Sequence, residues 1–136
     1  MKRWVALLGS LAVVAFSPAC SSSVSPPVRP GPFAAQAGQV VADLAAGNFT
    51  AVEGKFDPTL KASLTLPALQ QAWTTYQHLL GAYRHHLAPA SVRVGHLDVE
   101  RVPVTMAHGQ GEVRVSFNPN GTIAGLYFLK AGAPPP

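Results

Sequence analysis

The hydrophobic pattern changes period at Gly81, and that change excludes most architectures. Upstream, apolar residues recur every three or four positions. Phe33, Ala37, Val40, Val41 and Leu44 form one such set, and Leu69, Trp73, Tyr76 and Leu80 form another. That spacing lays a single stripe along a helix of 3.6 residues per turn. Downstream the alternation is by twos: Val92 and Val94, Leu97 and Val99, Val102 with Val104 and Met106, then Val113, Val115 and Phe117. A period of two belongs to strands with one buried face. Helices followed by an antiparallel meander predict an α+β layer fold, with the N-terminal helices packed on one face of a curved antiparallel sheet of about four strands.

Local signals place the boundaries. Pro32 suits a first helical turn, and Gly47-Asn48 stops the helix that runs through Ala46. Thr50-x-x-Glu53 has capping-box spacing and predicts a second helix starting at Thr50. Asp57-Pro58 reads as a cap followed by proline in the first turn of a short piece ending near Ser63. Thr65 would cap the strongest helix, Leu66 to Leu80. In the strand region the alternation slips phase at Glu100-Arg101, which predicts a bulge, and Pro103 predicts an edge strand. Gly109-Gln110-Gly111 and Asn118-Pro119-Asn120-Gly121 predict turns, and Thr122 to Lys130 a last strand. Ala82 to Val94 is the least regular stretch, a candidate start of the sheet.

The amino end has a different character. Lys2-Arg3 precede a thirteen-residue apolar run, Trp4 to Phe16. As a helix it would rise about 20 Å against a hydrocarbon core of about 30 Å, short for a membrane span. A charged start, a short apolar run and a small-residue site predict a signal peptide over residues 1–19. Ser17-Pro18-Ala19-Cys20 resembles the lipobox of bacterial lipoproteins, with Ser17 where an aliphatic residue is usual. The resemblance implies that Cys20 carries a diacylglycerol and that the leader is cut after Ala19. The protein would then be exported and anchored through lipid to the outer face of the cell membrane. Ser17-x-Ala19 also suits an ordinary signal peptidase, and secretion is the alternative. Residues 20–32, rich in serine and proline, would be an extended tether, residues 33–130 a single domain and residues 131–136 a proline-rich tail.

Charge and composition narrow the chemistry. The formal net charge is +4, but Lys2 and Arg3 lie in the leader, leaving eight basic residues against six acidic. These are scattered singly, which argues against nucleic-acid binding. One cysteine permits no intramolecular disulfide. His78, His85, His86, His96 and His108 lack helical ligand spacing, so no metal or cofactor is expected. Among the acids, Asp98 and Glu100 share a strand face, read as solvated, and Glu112 reads as an exposed strand residue. No serine stands in a nucleophile-elbow context, and no catalytic residue is assigned. Trp73, Tyr76, Tyr83, Phe117 and Tyr127 are the candidate lining of a pocket between helix and sheet, with plain core packing as the competing reading. Tyr127 and Phe128 point opposite ways, so one of them belongs to the outer sheet face, a candidate partner or dimer surface.

The order Ala45-Ala46-Gly47-Asn48-Phe49, Phe56-Asp57, Leu69-x-x-Ala72-Trp73, Leu80-Gly81-Ala82-Tyr83, Val102-Pro103-Val104 and Val113-x-Val115-x-Phe117-Asn118-x-Asn120-Gly121-x-Ile123 continues through Ala124-Gly125-Leu126-Tyr127-Phe128. It resembles an uncharacterised bacterial domain family found alone in exported proteins or in front of secreted α/β-hydrolases. The resemblance implies a shape like nuclear transport factor 2 or cystatin and carries no catalytic motif. No Gly-x-Ser-x-Gly occurs here. The expected function is non-catalytic: an extracytoplasmic lipoprotein domain for protein interaction or small-ligand binding, partnered by the membrane and by an envelope protein or a second copy. A small enzyme using a pocket of the fold, and a self-associating structural domain, are the alternatives.

Overall fold

The computed structural model describes residues 30–136. The leader, Cys20 and the first part of the tether lie outside the described residues. Four helices come first: α1 (Ala34–Ala46), α2 (Phe49–Glu53), α3 (Pro58–Ser63) and α4 (Leu66–Leu80). Five strands follow: β1 (Tyr83–His86), β2 (Ala90–Val94), β3 (Leu97–Met106), β4 (Gly109–Phe117) and β5 (Ile123–Lys130). The fold is α+β, with the helices N-terminal to an open antiparallel sheet, an arrangement consistent with nuclear transport factor 2. The sheet order is β1-β3-β4-β5, and β2 pairs with β3 beside β1. The five strands therefore occupy four ranks, because β1 and β2 follow one another along the same edge of β3.

The core lies between the helices and one face of this sheet. Ala37, Val40, Val41 and Leu44 of α1 are fully buried, as are Leu69 of α4 and Val102, Val113, Val115 and Phe117 of the strands. Trp73 and Tyr76 extend the α4 stripe into it. Asp57 does two jobs at one corner. Its Oδ1 accepts the Leu60 amide at 2.7 Å, capping α3, and its Oδ2 accepts Asn118 Nδ2 at 2.9 Å, tying that cap to the turn before β5. Hydrogen bonds from the Leu60 amide and then Asn118 hold its carboxyl below the ordinary range. A parallel bridge between Phe56 and Ile123 completes the corner.

Several local expectations are corrected. Helix α2 begins at Phe49 behind Asn48, so Thr50 lies inside it and the Thr50–Glu53 capping box does not form. The hairpin turn between β3 and β4 is Ala107-His108, and Gly109 already pairs with Met106. There is no bulge at Glu100-Arg101, because β3 pairs with β4 without interruption from Asp98 to Met106. The phase slip has a different cause. Val102, Val104 and Met106 face the helices, whereas Leu97 and Val99 face the opposite side, which is also apolar.

Pro103 lies in a doubly paired strand rather than at an edge. Its carbonyl accepts the Leu87 amide at 2.9 Å, so its nitrogen also faces the β1–β2 side. The missing N–H costs no bond to β4. It falls where β1 ends and Leu87-Ala88-Pro89 leads to β2.

Candidate functional site

The aromatic residues singled out from the sequence divide among three places. Trp73, Tyr76 and Tyr83 meet in one cluster with Phe128, the Trp73 ring centroid lying 5.9 Å from Tyr76, 6.2 Å from Tyr83 and 5.5 Å from Phe128. These rings pack against each other between α4 and the sheet. The Tyr76 hydroxyl donates to the Leu129 carbonyl at 2.7 Å, and burial pushes its phenol up to about 12. Tyr83 meets His86 Nδ1 at 2.7 Å, and burial raises its pKa too. Phe117 is separate, stacked on Phe33 at 4.9 Å. Tyr127 projects from the other face of the sheet and is 55% exposed. Tyr76 and Tyr127 both border an open recess of about 430 Å³ where α4 meets β5.

The outer sheet face carries a more defined groove of about 320 Å³. Cross-strand pairing explains its composition, since residues paired across strands share a face. Val94 pairs with Leu97, Val99 with Ser116, and Arg114 with Tyr127. These six residues, with Leu129 and Pro136, line the groove. Its walls are mainly apolar, and its size falls at the low end of ligand pockets, about 300–1,000 Å³.

Beside the groove lies an ion cluster that sequence reading did not find. Glu112, expected to be exposed, is buried. Its Oε1 accepts Nε of Arg101 and Nε of Arg114, each at 2.7 Å, and its Oε2 accepts Arg101 Nη2 at 3.1 Å. Burial pushes the Glu112 carboxyl up, but the hydrogen bond from Arg101, then that from Arg114, and the two positive charges hold it below its ordinary value. The bond to Glu112 correspondingly raises Arg101. With both guanidinium groups held by one carboxylate, Arg114 Nη2 is left to donate to the carbonyls of Ala133 (3.4 Å) and Pro134. The proline-rich tail thus crosses the outer face, turned back by Gly132 at φ 81°. The pairing of β3 with β4, Arg101 opposite Arg114 and Pro103 opposite Glu112, puts all three side chains on one face. The alternation of β4 alone gave no sign that this face was covered.

A second buried acid lies on the helix side of β3. Glu100, expected to be solvated, is fully buried. Its Oε2 accepts the Ser91 hydroxyl at 2.6 Å, while Oε1 has no hydrogen-bond partner among the described residues. Gly31 lies directly over this pair: a Cβ there would stand 1.8 Å from Ser91 Oγ and 2.3 Å from Glu100 Oε1. The segment leading into α1 therefore seals the carboxylate.

The outer face combines apolar and polar groups. It offers apolar walls, one exposed tyrosine and one fixed cationic donor, while the lone pairs of Glu112 facing the cluster are spent on two guanidinium groups. Among the described residues, no group of three or more His, Cys, Asp and Glu could hold a metal ion. No helix among them is long and apolar enough to cross a membrane. No curated protein and no solved structure matches the chain. Residues 37–126, from α1 into β5, match the family described as protein of unknown function (DUF3887). With that match spanning most of its length, the chain belongs to the DUF3887 family.

Proposed function

We propose that this protein is a non-catalytic binding module, exported and held by lipid on Cys20 at the outer face of the cell membrane, with the outer sheet face as its ligand site. The observation that carries the binding reading is the groove bordered by Tyr127 and Arg114. One face of the sheet packs against the helices, and the other presents an apolar recess beside a pinned guanidinium. Exposed apolar surface beside fixed polar groups marks interaction sites. The anchor rests on the leader and on the position of Cys20, and the Ser/Pro tether would hold the site away from the bilayer.

Two measurements test the two halves. Intact mass of the membrane-extracted protein should correspond to a chain beginning at Cys20 plus lipid, and Cys20→Ala should abolish both the added mass and membrane retention. An unmodified chain in the medium would sink the anchor. For the site, a photoreactive amino acid replacing Tyr127 should crosslink to one defined envelope protein, while the same probe replacing exposed Lys61 should not. Crosslinks only to a second copy, accompanied by a concentration-dependent dimer in sedimentation, would assign the face to self-association instead.

A further inference from the structure

We infer that the groove is a receptor for a proline-rich backbone, and that residues 133–136 occupy its near end as an intramolecular competitor. The inference deepens the binding reading above and rests on it. The chain itself shows what the site accepts: Arg114 Nη2 donates to two successive carbonyls, of Ala133 and Pro134, and Pro136 forms part of the groove wall. Prolines have no N–H to leave unsatisfied against an apolar wall, and their fixed φ lowers the entropy lost on docking. Extended proline-rich segments characteristically dock into grooves lined by aromatic side chains, and Tyr127 supplies such a surface here.

The donor is preorganised for this task. The Arg114 side chain is only 9% exposed, and its Nε is fixed on Glu112, which Arg101 holds in turn. A neutral carbonyl ligand suits this arrangement, because Glu112 already partners both cations. Pro136 lines the same open groove as Tyr127, Val99, Leu97 and Val94, so space remains beside the tail. An incoming segment that used the whole groove would displace the tail and add contacts with those residues.

The size of the effect follows from mass action. A short tether gives the tail an effective concentration of about 1 mM, and an intrinsic Kd of about 0.1 mM for so small a contact gives cis occupancy near ten to one. Weakening the tail should then strengthen binding in trans about tenfold. The probe is the acetylated, amidated peptide Ala-Gly-Ala-Pro-Pro-Pro, titrated into the full chain, with amide shifts of residues 94–99 and 114–116 as readout. The control peptide replaces each proline by glycine. The variant carrying Pro134→Gly, Pro135→Gly and Pro136→Gly should bind the proline peptide about tenfold more tightly than the unaltered chain. Adding Tyr127→Ser should remove that gain, and the glycine peptide should bind neither protein. Equal affinity of the variant and the unaltered chain, or of the two peptides, would overturn the inference. Absent peptide binding with persistent specific crosslinks from position 127 would overturn the ligand class and leave the binding reading standing. Loss of both would remove the site itself.

Discussion

At the scale of single residues, two buried carboxylates of this domain are satisfied very differently. Glu112 accepts hydrogen bonds from two arginines, whereas among the described residues Glu100 has one hydroxyl partner and one oxygen without a partner. Removing the partner of a buried polar group costs its desolvation, while replacing both partners by apolar groups can be neutral or better. Ser91→Ala should therefore destabilise the domain by about 1–3 kcal/mol in chemical denaturation, and adding Glu100→Leu should recover most of that loss. A double variant no more stable than Ser91→Ala would refute this account. Glu112 has a pH signature. Its folded carboxyl titrates below the ordinary 4.5, so its contribution is complete above that value and is lost as pH falls through the depressed one. Stability should decline from about pH 4.5 downward, and Glu112→Gln should flatten the decline, whatever its stability at neutral pH. Asp57, lowered by its cap and by Asn118, contributes with the same sign and will remain in that variant.

At the scale of elements, Pro103 explains why the sheet edge is broken in two. Its nitrogen faces Leu87, whose amide it already accepts on its carbonyl, and the reciprocal bond cannot form. Pro103→Val should supply that bond and extend β1 by a residue, seen as slowed hydrogen exchange at amides 87 and 103. Unchanged exchange would mean that the break is set by Pro89 instead. The same elements show how much the sequence revealed. The helix from Leu66 to Leu80 was legible to the residue, because Leu69, Trp73, Tyr76 and Leu80 make one stripe and Gly81 ends it. The cap at Asp57 was legible for the same local reason. The phase slip in β3 was visible, but its cause was not. A bulge and a second apolar face leave the same trace in one strand, and only pairing with β2 and β4 separates them. The ion cluster was hidden because Arg101 meets Glu112 only across two strands, and its burial also depends on a tail whose path no periodicity encodes.

At the scale of the whole molecule, the sheet has two unlike faces. The helix-covered face carries the stability, and the other carries a groove. Leu69→Ala, fully buried on α4, should cost about 3 kcal/mol, whereas Tyr127→Ser should stay within about 0.5 kcal/mol. Equal losses in urea denaturation would mean that the outer face is part of the core after all. The way the chain joins the domain has a mechanical side. Phe33 is stacked on Phe117, and Phe117 is paired with Asp98 on one flank and Ile123 on the other. A pull applied at Pro30 would reach β4 through the Phe33–Phe117 stack, and β3 and β5 through the strand pairing of Phe117. Such a load would be shared between the sheet, in shear, and α1, which begins at the residue after Phe33.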